Sequence, residues 1–512
     1  GADIAAMRRQ IRRLNRRYGE HFVLAVRRRT YSKTMDAYTG YERKRGAILQ
    51  LSQVITGTAG ADGGVLAFEG DMAALRRSRY LLALDADTGL LLDTLPLLVG
   101  TALHPCNEPV LDEERRRVVK GYGVLTPRIG LELGGADKTG FARTMAGVGG
   151  VTPYDVLSGD LYMDLFSSTV FSGKGLLDIR AFAAVSAGAF PEEQVLSHDI
   201  LEGCLLRAGY ISDVEMVDGF PASMVSWLKR LHRWVRGDWQ NAPFLRRDRL
   251  PLTRLDRWKL LDNLRRSLTP AVLLLCILVS PLLPHGQVMT LFALLAAVSG
   301  QLLTMFSSLL HGGWQSLSGR YYSRVMPRAM SALMQMLYTV VMLPATALIE
   351  LDAALRALWR LHSRRRMLEW TTAADAEHGA GSWAAAIRLL WPTLFPAAIA
   401  LIWGFGLTRL TGVFFAVLIP TAVLSARPGK AAVPQPTAGQ REQIAAYAAA
   451  AWRYYAENCT AEEHFLPPDN LQESPVWRVA HRTSPTNIGL YLLCIRAAAD
   501  FGLIDQEEML RR

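Results

Sequence analysis

The chain has 512 residues, half of them hydrophobic, and a formal net charge of +11. Its mean hydropathy of +0.13 is high for a soluble protein. The excess gathers between about Leu268 and Ser425, which places a membrane region between two soluble parts. No zinc-ligand spacing or RNA-binding signature accompanies the arginines, so no nucleic-acid partner is expected; the charge fits the cytoplasmic bias of membrane proteins. The five cysteines lie far apart with no paired spacing. They point to neither a disulfide framework nor a metal cage, and favour a reducing compartment.

Residues 1–265 read as α/β. A basic helix over Ile4–Tyr18 precedes a short apolar strand, Phe22–Val26, and a helix over Lys44–Ile55. The apolar run Tyr80–Leu84 has strand length and ends abruptly in Asp85-Ala86-Asp87. Strands alternating with helices predict a mostly parallel sheet that binds ligands at the carboxyl ends of its strands, which puts Asp85 and Asp87 at the mouth.

Apolar segments follow at 268–284, 287–310, 329–349, 389–407 and 410–425. Leu351–Trp370 is amphipathic and reads as a helix on the membrane surface. Basic loops flank 329–349 on both sides, so that segment reads as re-entrant, leaving four full crossings with both soluble parts inside. Residues 426–439 form a Pro/Gly/Ala-rich linker, and 440–512 are helical but too short for a sizeable core. The chain opens with Gly and shows no signal peptide, so it is expected to be cut from something longer at both ends.

Sugar transfer from a nucleotide diphosphate needs charge neutralisation on the leaving group, a base for the acceptor hydroxyl, and a surface for the product. Asp85 and Asp87 suit a shared Mg²⁺ or Mn²⁺, although on the order of one Asp-x-Asp triplet is expected by chance in a chain this long. Ser197-His198-Asp199 precedes the helix-like run Ile200–Ala208, where N-capping by Ser197 or Asp199 is the ordinary role. Arg233 and Trp234, with Trp239 beyond, combine anion-binding and sugar-stacking side chains; a basic interfacial helix accounts for them equally well. Glu42-Arg43-Lys44-Arg45-Gly46-Ala47 is a basic turn opening a helix, a placement that suits phosphate. No glycine cluster has P-loop or dinucleotide spacing.

The order of these segments changes their weight. A basic-Gly turn, Asp-x-Asp, Gly173-Lys174-Gly175, His-Asp and Arg-Trp occur in sequence, immediately before the apolar spans. This resembles the inverting, processive glycosyltransferases that include cellulose and hyaluronan synthases, with Arg230 standing where their Arg-Trp motif usually begins with Gln. More narrowly, Glu42–Ala47, Leu84–Thr88, Gly121–Leu125, Phe171–Gly175, Leu196–Gly203, Arg233–Gln240, Leu368–Ala373, Leu466–Asn470 and Val479–Tyr491 resemble the cyclic β-1,2-glucan synthases.

That resemblance implies an α/β glycosyltransferase-A-type (Rossmann-like) domain over 1–265, a helical membrane domain over 266–425, and the first helices of an (α/α) toroid, glycoamylase-like domain over 440–512. It implies a hexosyltransferase that builds β-1,2-glucan from UDP-glucose with a divalent cation, in the bacterial inner membrane with its soluble domains cytoplasmic. Asp85 and Asp87 would hold the metal, Asp199 would be the base, and Lys44, Arg233 and Trp234 would bind the donor. Gly173, Lys174, Gly175 and Trp239 would line the acceptor region, and Tyr154 or Tyr162 would prime the chain. The ring-closing part and a phosphorylase-like domain would be missing, so this chain alone would not cyclise glucan. The alternatives are a synthase of another linkage, separable by linkage analysis, and a non-catalytic component of glucan export.

Overall fold

The computed structural model describes residues 2–58, 65–146, 160–310, 319–370, 372–428 and 436–512. They form two compact units, Gly1–Gly429 and Lys430–Arg512.

The first unit is built on a five-stranded sheet. Its strands lie in the order Tyr80–Ala83, Gly175–Asp178, Val124–Leu131, Gly209–Asp218, Thr88–Leu90. The central Val124–Leu131 strand opens on four buried residues, the near-continuous apolar pattern of a strand covered on both faces. Contrary to the mostly parallel sheet expected, only the Val124–Leu131 and Gly209–Asp218 pair is parallel; the other three pairings are antiparallel. The reason is local. Gly175–Asp178 enters the sheet from the edge at which Tyr80–Ala83 ends, so it runs backwards between two like-directed strands, with Gly175 opposite Ala83. Three strands still share one carboxyl edge, and Asp85 leaves the sheet there.

The Phe22–Val26 strand forms as Leu24–Arg27, outside this sheet, paired antiparallel with Val65–Glu69. Helix Arg43–Thr56 begins on two residues in the left-handed region, Glu42 (φ 47°) and Arg43 (φ 54°), a conformation with a steric cost for non-glycine residues. Arg27 holds that turn: its guanidinium donates to the carbonyls of Tyr41 and Arg43 and to Gln50. A Cβ on Gly46 would fall 2.0 Å from the Tyr41 carbonyl oxygen, so only glycine fits.

The apolar segments are helical. Among the described residues three helices are long and apolar enough to cross a membrane, Arg254–Leu282, Ala329–Ser363 and Trp383–Ile402; two bent pairs, Gly286–Ala297 with Ser299–Phe306 and Gly406–Ala416 with Leu418–Ser425, bring the number to five if each pair is one span. The amphipathic stretch expected to lie separately on the surface instead continues the preceding apolar helix. That helix runs unbroken over Gly319–Ser363, because no Gly or Pro interrupts the sequence between Pro344 and Ser363. Only Arg364–Trp370 leaves it, and this strap crosses toward the α/β domain.

The two parts of this unit share a core. Met224, Val225 and Leu228 of helix Met224–Gln240 pack with Val341, Met342 and Ala345 of the long helix and with Leu390, Leu418 and Ala422. Helix Met224–Gln240 starts on a reciprocal capping box between Ser223 and Ser226, which fixes its first turn.

The second unit contains helices Ala438–Asn458, Pro485–Asp500 and Gln506–Arg511 around Cys459, Tyr491 and Ile495. Leu490, Leu492 and Leu493 of its middle helix are more than half exposed.

Candidate functional site

The carboxyl edge of the sheet gathers charged groups from four separate stretches. The Lys44 ammonium donates to Asp85 Oδ1 at 2.5 Å and to the Gly173 carbonyl at 2.8 Å. Lys174 lies 3.4 Å from the other Asp85 oxygen and pairs closely with Asp218. Asp218, the last residue of its strand, also accepts a 2.8 Å hydrogen bond from the Thr88 hydroxyl. Burial raises the Asp85 pKa, but Lys44 and Lys174 outweigh it and hold the carboxyl below its ordinary value.

Gly173 joins this group to Asp199. Its φ is +90°, and a Cβ there would sit 2.8 Å from Asp199 Oδ1. Asp199 is the first residue of helix Asp199–Leu206, and neither it nor Ser197 caps the helix: the N-cap is His198, with no side-chain capping bond. The capping role expected from sequence is therefore absent, and the Asp199 carboxylate, about one third exposed, faces the Gly173 loop instead.

Behind Asp199 lies a buried ion network. His198 Nδ1 is 3.0 Å from Glu202 Oε2 and 3.3 Å from Asp199 Oδ1. Arg45 pairs with Glu42 at 3.0 Å and approaches Glu202 at 3.9 Å. Burial alone would lower the His198 pKa, but Asp199 and Glu202 overcome it and push it up to about 9. His198, Asp199 and Glu202 are also the one trio of metal-ligand type found close together among the described residues. A protonated imidazole satisfied by two carboxylates explains the trio without a cation.

A second set of residues surrounds Arg233. Burial, and then Arg230, lower its guanidinium to about 10, while the exposed Asp87 acts in the opposite direction. Arg233 stands 4.7 Å from the centroid of the Trp370 ring, and Arg43 stands 4.4 Å from the same ring. Trp234 points elsewhere, edge-on to Trp227 and under Arg230, against the shared core. Trp239 donates its indole N–H to the Ser267 hydroxyl at 2.9 Å, toward helix Arg254–Val279. Tyr162 packs at the margin of the main core with the Lys259 ammonium 5.4 Å from its ring centroid. Tyr154 lies outside the described residues.

The structure thus brings together Lys44, Asp85, Gly173, Lys174 and Asp199, relates Asp87 to Arg233, and turns Trp234 and Trp239 toward helix packing. Sequence reasoning missed Asp218 and Trp370. Asp218 ends a strand whose apolar residues alternate with Ser212, Asp213 and Glu215, a weaker signal than the unbroken run before Asp85. Trp370 lies in the resembling stretch Leu368–Ala373, but nothing local points to Arg43 and Arg233, which come from stretches far away in the chain.

Carboxylates at the end of a strand suit a hard divalent cation, which binds one or two of them and takes its remaining oxygens from phosphate and water. Asp85 has both oxygens against ammonium groups, and Asp87 is exposed. The donor chemistry fits, and such a cation would compete with Lys44 and Lys174.

A mixed α/β domain with a charged sheet edge, sharing its core with apolar helices of membrane-crossing length, defines a membrane-associated α/β protein. No protein-family profile matches the chain. Over 99% of its residues it is 34% identical to the cyclic β-(1,2)-glucan synthase NdvB of Rhizobium meliloti strain 1021, and it spans 18% of that protein's length. Throughout its length the chain aligns with a segment of that synthase.

Proposed function

We propose that this segment performs the sugar transfer of cyclic β-1,2-glucan synthesis, as a processive, inverting glucosyltransferase of glycosyltransferase-A type using UDP-glucose. The convergence of Asp85, Lys44, Lys174 and Asp199 around Gly173 carries this reading. Two ammoniums and a carboxylate beside a second, partly exposed carboxylate are the groups that a diphosphate donor and an acceptor hydroxyl require.

In this reading Asp199 accepts the proton of the acceptor hydroxyl as its oxygen attacks C1 of glucose. The bond from C1 to the diphosphate breaks, UDP departs, and the α-linked donor yields a β-linked product. Lys44, Lys174, Arg43 and Arg233 stabilise the departing diphosphate. Asp85 and Asp87 would hold Mg²⁺ or Mn²⁺, which would supply further charge neutralisation there. Either Tyr154 or Tyr162 would prime the chain. The apolar helices would anchor the site at the cytoplasmic face of the inner membrane, and residues 440–512 would open a toroid domain.

The test uses the whole parent synthase with radiolabelled UDP-glucose. Asp199→Asn should abolish incorporation while membrane insertion and UDP binding persist. Undiminished labelling would remove Asp199 from the chemistry, and product with another linkage would redirect the assignment to a different synthase.

A further inference from the structure

The long helix has more length than a bilayer core requires. Its apolar part, Ala329–Ser363, counts 35 residues, or about 52 Å against a hydrocarbon core of about 30 Å. The Ser363 end leads into the strap, so this end stands at the membrane surface on the side of the α/β domain. It is apolar and cationic at once. Leu355 and Trp359 are 65% and 68% exposed, while Arg356 and Arg360, one turn apart, share a face.

A concavity of about 360 Å³ opens between this helix end and the strap, walled by Arg356, Trp359, Arg360, Ser363, Arg365 and Arg366. Arg364 and Arg366 both lie in the left-handed region, at φ 57° and 51°, and this tight reversal brings Arg365 and Arg366 back beside the helix. Two of the four guanidiniums in the wall are answered by carboxylates: Arg356 by Asp352 at 2.6 Å, and Arg360 by Glu369. The Arg365 and Arg366 guanidiniums make no ion pair or hydrogen bond among the described residues, and Arg366 acts on Glu369 only from beyond pairing distance. The Ser363 hydroxyl, sheltered from solvent, has no hydrogen-bond partner among those residues either.

Four guanidiniums against two carboxylates leave an excess of positive charge in a cavity of ligand size. Guanidinium forks match the oxygens of a phosphate. The exposed tryptophan and leucine beside them match the boundary between headgroups and acyl chains, where aromatic side chains gather. We propose that the concavity formed by Arg356, Arg360, Arg365 and Arg366 binds the phosphate headgroup of an anionic phospholipid, with Trp359 at the acyl boundary beside it. Arg360 also donates to the Arg366 carbonyl at 2.7 Å, so the headgroup sits at the joint between the long helix and the strap. This site goes beyond the sugar-transfer reading and does not depend on it.

The experiment uses the whole parent synthase in nanodiscs of phosphatidylcholine with a minor share of phosphatidylglycerol, and counts the lipid kept on the protein by native mass spectrometry. The wild type should retain phosphatidylglycerol in preference to phosphatidylcholine. Arg365 and Arg366 are exposed, so replacing them disturbs no core. Arg365→Gln with Arg366→Gln should weaken the preference about thirtyfold, the effect of two basic side chains at an anionic surface. Arg365→Lys with Arg366→Lys keeps the charge but loses the forks, and should still weaken it about tenfold. A lysine variant equal to the wild type would reveal diffuse attraction without a site, and a wild type with no preference would leave the concavity without a lipid; either result overturns the proposal. Glycerol 3-phosphate, added to discs of phosphatidylcholine alone, should not bind. Binding there that the glutamine variant abolishes would assign the concavity to a soluble phosphate and overturn the lipid.

Discussion

Gly173 and Asp199 touch so closely that no other residue fits at position 173: an added Cβ would lie 2.8 Å from Asp199 Oδ1, on a backbone whose φ is +90°. Gly173→Ala should therefore displace the carboxylate or twist the loop, at a backbone cost of about 1–2 kcal/mol. Glucosyl incorporation should fall about a hundredfold, since a displacement of roughly 1 Å at a reacting group costs that much, while membrane insertion and UDP binding persist. Radiolabel incorporation and calorimetry on the same preparation separate the two effects.

Raising the pH should loosen helix Asp199–Leu206 before the rest of the sheet edge. The folded His198 pKa of about 9 lies above the ordinary histidine value of about 6.5. The stabilisation from its charged form is complete below that ordinary value and is lost as pH rises through about 9. The thermal midpoint of the detergent-solubilised parent should decline across this window, and His198→Gln should flatten the decline. Equal slopes for both proteins would show that the imidazole is not held charged.

Lys174 and Asp218 form a nearly buried pair, and losing Asp218 leaves Lys174 to the more distant Asp85 at 3.4 Å, at a cost below the roughly 3–5 kcal/mol of breaking a buried pair outright. Asp218→Asn should lower the unfolding midpoint and raise the KM for UDP-glucose, because Lys174 would then turn fully to Asp85. Lys174→Met combined with Asp218→Leu should recover part of the stability but none of the activity.

Within the apolar helices, Ser280, Thr290 and Thr408 hydrogen-bond to one another through their hydroxyls at 2.8–2.9 Å. Interhelical bonds of this kind in a membrane average about 0.6 kcal/mol. Thr290→Val keeps the shape and removes the central hydroxyl. It should reduce resistance to thermal unfolding in detergent by about 1 kcal/mol, with transfer activity unchanged.

The elements that a single stretch specifies were legible beforehand. The basic helix forms as Ala2–Tyr18 and the apolar strand as Tyr80–Ala83, and every apolar segment is helical. Strand direction was not legible, because periodicity says which face of Gly175–Asp178 is buried and nothing of which way it enters the sheet. The same limit hid the contact between Arg43 and Trp370: they lie more than three hundred residues apart in the sequence, and no local pattern joins them. Trp234 and Trp239 show the converse. An aromatic beside an arginine suits sugar stacking or helix packing equally well, and only their neighbours at Trp227 and Ser267 distinguish the two.

The core shared by Met224, Leu228, Val341 and Leu418 leaves no natural line along which a water-soluble catalytic fragment could be excised. A truncation ending before Arg254 would lay bare the greasy flank of the Arg-Trp helix and strip away the strap that carries Trp370. Crystallisation or inhibitor screening on such a piece would sample a protein that has lost part of its own core; the lipid-bound assembly is the smallest faithful object of study.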